Sequence, residues 1–334
     1  MLKFFKTQED KKLERLEAFE EGCWVDLVNP TDDEVEDACA LTGVPEEMLK
    51  AALDEEETAR AERDEDSFLC LLDTPTITDT DEGDTYETIP MALIYNSKCL
   101  VTVSLRGNPV LGDFISRRVS VDTAKPVHFI LTFMMGNAKR FLSNLRQLDK
   151  KSLRVQAELH RSMKNKELIQ LLEIENSLVY FSTSLSANIN VYNKLERMPA
   201  VVGNEDYKDL FDDVVIETRQ AMEMCNIYRD ILSGTMDAYA SVISNNVNIV
   251  MKLLTVVTLI ISVPTLIASL WGMNVPVPFE GLSWGFWLVL AISIVITAVV
   301  SFFIIRSSNS IRIRTPRQPK RRKSRIGRDG REEN

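Results

Sequence analysis

Oxygen-bearing side chains recur at fixed spacing along residues 223–269, and this pattern is the strongest chemical signal in the sequence. One set falls at successive sevens, with Met251 as its one apolar member: Glu223, Asp230, Asp237, Ser244, Met251, Thr258 and Thr265. A second set occupies the other half of the heptad: Ser241, Asn248, Thr255, Ser262 and Ser269. Residues at this spacing share one face of a helix. We call this face the polar stripe.

The polar stripe changes in chemistry along its length, from carboxylates to small hydroxyls. Oxygen ligands of this kind suit hard cations such as Mg²⁺. Polar residues within an apolar helix usually face a bundle interior or a water-filled path. The stripe therefore favours a wetted ion path around a symmetry axis. A second interpretation stays open, since Ser and Thr also let helices pack closely.

The stripe ends at the triplet Gly272-Met273-Asn274. Gly272 is expected to take the left-handed conformation that stops a helix. Asn274 offers a neutral amide oxygen, which can hydrogen-bond a hydrated Mg²⁺ without removing its water. Glu280 would add negative potential nearby.

Two charge-free apolar runs flank this triplet, at residues 253–271 and 284–305. Each is long enough to cross about 30 Å of hydrocarbon. The segment between them has no Lys or Arg, whereas residues 306–328 contain ten and no acid. The positive-inside rule then predicts a multi-pass cell-membrane protein with both termini cytoplasmic. The basic tail is expected to contact membrane lipid headgroups rather than nucleic acid.

Residues 1–248 carry 45 acids and 27 Lys or Arg, and their patterns are those of a soluble domain. Residues 23–28, 67–78 and 86–105 are β-rich, and Thr31 to Glu34 is a capping box that begins a helix. The turn at 81–84 indicates a hairpin rather than a calcium loop, because its glycine is misplaced.

From Pro126 onward the period becomes helical and continues to about residue 197. Apolar residues recur every three or four positions: Val127, Leu131, Met134, Ala138, Phe141, Leu145 and Leu148. No proline occurs between Pro199 and Pro264, which predicts one helix of about 65 residues, roughly 100 Å long. A coiled-coil-like face from Tyr207 to Ile249 indicates self-association or packing on neighbouring helices.

The sequence also bounds the functional class. Five cysteines without CxxC spacing and two histidines make a disulfide framework or a Cys/His zinc site improbable. We find no nucleophile–base pair, phosphate loop or catalytic metal spacing, so we expect neither an enzyme nor an organic cofactor.

The Gly-Met-Asn triplet, closing the first of two C-terminal spans, resembles the signature of the CorA family of magnesium and cobalt transporters. Residues 248–255 are similar to that family's pore entrance. The resemblance lies in the residues themselves over positions 205–305. Before position 205 it lies only in the order of the predicted elements. It implies a funnel-shaped homopentamer: an α/β domain (an α/β/α sandwich), a long stalk helix and two transmembrane helices.

The resemblance further implies site residues. Gly272, Met273 and Asn274 would form the selectivity ring, and Met251 and Leu254 the hydrophobic gate. With the polar stripe, the pore-lining set becomes Asn248, Thr255, Thr258, Ser262, Thr265 and Ser269. Met251 and Thr265 lie on the stripe, whereas Leu254 is one position off it. Two departures bear on ion preference: residues 275–279 are Val-Pro-Val-Pro-Phe, and Pro264 lies one place from the family's usual proline.

A regulatory metal site is also implied, in which Asp213 meets an aspartate of the neighbouring subunit. Ala51 stands at that partner position, and Asp54 follows three residues later. The candidate set is Asp213, Asp54, Glu223, Asp230 and Asp237. Like charges brought together in an assembly would favour bound Mg²⁺. The alternative, an ordinary solvated acidic face, stays open.

We therefore predict a passive Mg²⁺ channel gated by cytoplasmic divalent cations. The expected segments are 1–125 (α/β domain), 126–248 (cytoplasmic helices with the stalk), 249–271 (pore helix), 272–283 (external loop), 284–305 (second span) and 306–334 (basic tail). Transport of Zn²⁺, Co²⁺ or Ni²⁺ is the first alternative. A non-conducting membrane-anchored scaffold or sensor is the second.

Overall fold

Seven strands form one mixed sheet in the N-terminal part of the chain. The structure is a computed structural model that describes residues 1–9, 12–64, 66–80, 83–162, 165–274 and 283–309. The strands are β1 (Leu2–Thr7), β2 (Leu13–Leu16), β3 (Trp24–Val28), β4 (Arg60–Asp64), β5 (Ser67–Thr80), β6 (Gly83–Tyr95) and β7 (Leu100–Ser104). Their order across the sheet is β2-β1-β3-β7-β6-β5-β4, and only β3 and β7 are parallel.

Eight α-helices accompany the strands in the part of the chain that the structure describes. They are α1 (Asp32–Thr42), α2 (Glu46–Lys50), α3 (Pro109–Ile115), α4 (Pro126–Ser162), α5 (Asn165–Leu195), α6 (Pro199–Val202), α7 (Glu205–Trp271) and α8 (Gly285–Asn309). A short 3-10 helix, Ala51–Leu53, follows α2. The sequence did not predict that α4 ends at Ser162 and that a separate helix, α5, begins at Asn165, because both stretches have a helical period.

Helices cover both faces of the sheet. Because successive strand residues point to opposite faces, neighbouring residues of one strand belong to different cores. Cys70 and Leu72 pack with residues of α3 and α4 in one core. Leu69 and Leu71 pack with residues of α1, α2 and the 3-10 helix in the other. The predicted α/β/α sandwich is confirmed. Residues on both sides of position 126 share the first core, so the α/β segment and the helices after it form one compact unit, Met1–Tyr239.

Local signals in the sequence correctly located several elements of this unit. The backbone N–H of Glu34 donates to Thr31 Oγ1 at 3.3 Å, and that of Thr31 donates to Glu34 Oε2 at 3.1 Å, so the capping box is formed. β5 and β6 pair in register from Phe68 with Tyr95 to Thr80 with Gly83, which confirms the hairpin. The two residues at its tip lie outside the described residues.

The coiled-coil-like face of α7 packs within the same chain up to Tyr239. Ala221, Cys225 and Leu232 belong to a core shared with α4 and α5. Cys225 Sγ donates to the Leu178 carbonyl at 3.1 Å, and the Tyr239 hydroxyl donates to the Gln156 carbonyl at 3.1 Å. Packing on neighbouring helices is therefore the correct alternative for this portion of the face.

The second unit begins at Ala240 and contains the rest of α7 and all of α8. Both helices are long and apolar enough to cross a membrane, with mean hydropathy of 2.3 and 2.6 in their most apolar stretches. Those stretches are 0% and 6% buried. Since a core helix of a soluble protein is mostly buried, these apolar surfaces are those of candidate membrane spans.

Candidate ion path and cation sites

The polar stripe is a continuous exposed face on the second unit's part of α7. Six residues proposed as pore-lining are all solvent-exposed in the single chain: Asn248, Thr255, Thr258, Ser262, Thr265 and Ser269. α7 stays helical through them to Trp271, with Pro264 inside it. The helix thus presents the whole stripe without a break.

Four of the stripe hydroxyls share one hydrogen-bonding arrangement. Each donates its hydrogen to the backbone carbonyl four residues earlier: Thr255 to Met251 (2.8 Å), Thr258 to Leu254 (2.8 Å), Ser262 to Thr258 (2.7 Å) and Thr265 to Ile261 (2.7 Å). A hydroxyl has one donor and two acceptor lone pairs. Because the donor is used within the helix, the oxygen is left to accept from outside. A row of acceptors suits the water shell of a hydrated cation, whose hydrogens point outward.

The two residues proposed as a gate lie on the surface of the helix. Met251 is 55% exposed and Leu254 58% exposed. Large apolar side chains left uncovered in one chain are available to meet copies of themselves. A ring of such side chains would need several copies of the chain, and the structure describes one.

Gly272 ends the helix in a different way from the one expected. Among the described residues, the positive-φ glycines are Gly22 and Gly43, so Gly272 is not left-handed. Its N–H still donates to the Ala268 carbonyl at 2.9 Å, as in a continuing helix. A Cβ at this position would lie 3.2 Å from that same carbonyl oxygen. A side chain at this position would therefore crowd the last turn of the helix, whereas φ does not require glycine here.

Asn274 follows the helix end by three residues and is exposed. Residues 275–282, which include the prolines and Glu280, lie outside the described residues, as does the basic tail from residue 310. The predicted stiff loop and lipid-binding tail therefore stay predictions.

The candidate regulatory acids are surface residues in the single chain. Asp54, Asp213, Glu223, Asp230 and Asp237 are all exposed. Within the described ranges, no three His, Cys, Asp or Glu side chains converge as a metal site. Ala51 is 6% exposed and belongs to the core beneath the sheet, so it cannot carry a ligand role. Asp54, at the end of the 3-10 helix, is the nearest residue that could.

One charged surface was not predicted from the sequence. Exposed cations recur on α4 at Lys139, Arg146, Lys150 and Arg154. Their spacing of seven, four and four residues was the available signal, since such residues share one helix face. The apolar period of α4 predicts the helix but carries no information about the charges on its opposite face.

With this geometry established, comparison with known proteins decides the family. The family model described as CorA-like Mg²⁺ transporter protein matches residues 19–306. The chain belongs to the CorA family. This family is one of divalent-cation transporters, which sets the functional class of the chain.

Individual CorA proteins show the extent of the similarity. The cobalt/magnesium transport protein CorA of Methanocaldococcus jannaschii is 28% identical over 293 residues, which covers 85% of this chain and 90% of that protein. The protein of the same name from Thermotoga maritima is 33% identical over 138 residues, 40% of this chain. The complete structure of the M. jannaschii CorA magnesium transporter superposes with a TM-score of 0.77 at 25% identity, covering 92% of this chain and 98% of that one.

Proposed function

We propose that this CorA-family protein is a passive Mg²⁺ channel of the cell membrane. The observation that carries the proposal is the exposed stripe on α7, on which four hydroxyl oxygens are left as acceptors because their hydrogens are bonded to the helix backbone. Mg²⁺ releases its water reluctantly, so a path that accepts from the hydration shell suits it better than one that strips it.

The channel would be a homopentamer with funnel shape, in which five α7 helices surround the path. Closed symmetry is the usual state of soluble and membrane homo-oligomers, and it places identical stripe residues on one axis. Met251 and Leu254, exposed in one chain, would then meet around the axis as a gate. Asn274 would form the outer ring that selects the ion.

The topology follows from charge. Both termini would be cytoplasmic, with residues 272–283 outside, because Lys and Arg flank the spans on one side only. Membrane potential, negative inside, would drive cation influx through this orientation.

Cobalt is the second candidate ion, since the M. jannaschii relative carries cobalt in its printed name. The polar stripe has no His or Cys, which disfavours direct ligation of softer ions such as Zn²⁺ or Ni²⁺. Passage of a hydrated Co²⁺ remains compatible with it. Competition among Mg²⁺, Co²⁺, Zn²⁺ and Ni²⁺ in one uptake assay would rank the ions by how well the protein transports them.

The deciding experiment is Mg²⁺ uptake by the full-length protein in liposomes holding a fluorescent Mg²⁺ indicator. Wild-type protein should admit Mg²⁺ in proportion to an imposed inside-negative potential. Asn274→Ala should assemble normally and lose at least tenfold in uptake. Asn193→Ala, an exposed asparagine on α5, is the matched control and should conduct as wild type. No uptake by wild type would favour the non-conducting scaffold, and normal uptake by Asn274→Ala would remove the selectivity role.

A further inference from the structure

A cavity of about 460 Å³ opens between α3 and α4, away from the polar stripe and the candidate regulatory acids. Its floor and walls are largely apolar: Val110, Phe114, Val119, Met135 and Gly136. The helices meet at Gly136, where a Cβ would lie 2.5 Å from Val110 Cγ1. The missing side chain therefore lets α3 sit directly on α4. This volume is within the usual range for a small-molecule site, roughly 300–1,000 Å³.

Polar and charged groups of α3 and α4 line the rest of this cavity, and their charge balance is positive. Asp113 accepts from Arg140 at 2.9 Å and from Arg118 at 3.2 Å, so its single charge faces two guanidinium groups. Lys139 also lines the cavity and is exposed. It forms no salt bridge with any residue that the structure describes. An anionic group arriving at this rim would meet cations whose nearby acid is already neutralised.

The cationic surface continues from the cavity along α4. Positions 139, 143, 146, 150, 154, 157 and 161 follow one another at intervals of three or four, and they hold five Lys or Arg and no acid. All seven are exposed. This basic stripe spans about 33 Å at 1.5 Å per residue. It stands out on a segment, residues 1–248, that carries 45 acids and 27 Lys or Arg.

The geometry points to a nucleoside polyphosphate as the ligand of this cavity and the adjoining basic stripe. An apolar cavity beside cations selects a molecule with an apolar part and an anionic part. A single carboxylate would need only Lys139 and Arg140. Arg146, two helical turns further on, gives a chain of phosphates a further partner. Asp113 and Ser143 at the rim can hydrogen-bond ribose hydroxyls, which a fatty acyl chain lacks.

This inference is independent of the proposed channel function, although the two share a chemistry. Phosphate chains bind Mg²⁺ through their oxygens. A site that takes the polyphosphate on the soluble unit would let the transporter respond to the nucleotide itself. The binding measurement is therefore made without Mg²⁺, so that a failed channel proposal leaves it unaffected.

The test uses the full chain in detergent micelles with EDTA present, and calorimetric titration with ATP, ADP, adenosine and inorganic tripolyphosphate. ATP should bind more tightly than ADP. Tripolyphosphate should bind at least tenfold more weakly than ATP, because it leaves the apolar cavity empty. Adenosine alone should bind too weakly to measure. Equal affinity for ATP and tripolyphosphate would overturn the inference, as would no ATP binding at millimolar concentration.

Variants separate the two halves of the site. Lys139→Glu with Arg146→Glu should weaken ATP binding at least tenfold, whereas Lys194→Glu, an exposed lysine on α5, should leave it within twofold. Ser143→Trp, at an exposed rim position, should fill the cavity and bring ATP affinity down to that of tripolyphosphate. Lys139→Gln serves if the charge reversal prevents folding. Wild-type affinity in all of these variants would place the ligand elsewhere and end the proposal.

Discussion

Asn188 on α5 pairs with both backbone groups of Asp73 on β5. Its Oδ1 accepts from the Asp73 N–H at 2.9 Å, and its Nδ2 donates to the Asp73 carbonyl at 2.9 Å. β4 pairs with β5 only as far as Leu71, opposite Arg60. The carboxamide thus continues the pairing where β4 has ended, and the Asn137 amide on α4 donates to the same carbonyl at 2.9 Å.

Removing this carboxamide should destabilise the soluble unit. In Asn188→Ala the Asp73 N–H loses its acceptor, at a cost of about 1–3 kcal/mol. The carbonyl keeps its bond from Asn137. Thermal unfolding of the full chain, followed by intrinsic fluorescence, should shift down by roughly 3–10 °C. Asn193→Ala on the exposed side of α5 should shift it by less than about 1 °C. Equal midpoints for the two variants would contradict a structural role for Asn188.

A buried carboxyl in β3 should make stability depend on pH. Asp26 is 3% exposed and accepts from Thr102 Oγ1 at 2.8 Å, which in turn accepts from the Trp24 indole at 2.8 Å. Burial raises the pKa of Asp26 above 3.8 despite that hydrogen bond. The folded state therefore holds the proton more tightly than the unfolded chain. Stability from this group is full below pH 3.8 and is lost as pH rises through the folded pKa.

Asp26→Asn keeps the acceptor oxygen and removes the titration. The difference in unfolding temperature between this variant and wild type should grow in the variant's favour as pH rises from about 4. Asp33→Asn, at an exposed position of α1, is the control for loss of one negative charge. Parallel curves for wild type and Asp26→Asn would show that this carboxyl does not titrate differently on folding.

The gate hypothesis predicts a gain of flux. Replacing both Met251 and Leu254 by Ser would make an apolar ring wettable and should raise Mg²⁺ leak several-fold in the liposome assay. Leu253→Ser lies on another side of the same helix, is 64% exposed in wild type, and should not raise leak. Normal assembly with unchanged or lost conduction in the double variant would indicate that these side chains only pack.

Feedback by cytoplasmic Mg²⁺ is predicted to involve Asp213 and Asp54. Divalent cations held between subunits would stabilise a closed packing, and their loss would favour the open state. Asp213→Asn with Asp54→Asn should raise at least threefold the cytoplasmic Mg²⁺ that half-inhibits current. Asp206→Asn, on the first turn of α7, should leave that concentration unchanged. An unaltered inhibition curve in the double variant would transfer the role to Asp230 and Asp237.

Several features could be read from the chain alone because their causes are local. The capping box needs only Thr31 and Glu34 three residues apart, and the apolar period of α4 needs only its own side chains. The same holds for α7: a 67-residue helix without an early proline, carrying oxygen groups at heptad spacing, is visible before folding. The Gly-Met-Asn triplet identified the family by its position between two apolar runs.

Other features were decided by contacts between residues far apart in the chain. The apolar period predicted that one face of α7 packs against other helices, but it could not show whether those helices belong to a second copy or to the same chain. In the fold, α4 and α5 of the same chain pack against Cys225. The family resemblance placed Ala51 where an aspartate is expected and Asp54 three residues away, and the tertiary structure buries Ala51 while leaving Asp54 exposed.

The sequence by itself therefore determined the start of α1, the long helix α7, the hairpin, the family and the chemistry of the polar stripe, because spacing along one element sets which side chains share its face. Only the tertiary structure decided that Asn188 completes the edge of β5, and that α3 lies on Gly136 beside the cations of α4. Those relationships join residues as far as 115 positions apart in the chain, and the packing that closes such distances is a property of the whole core.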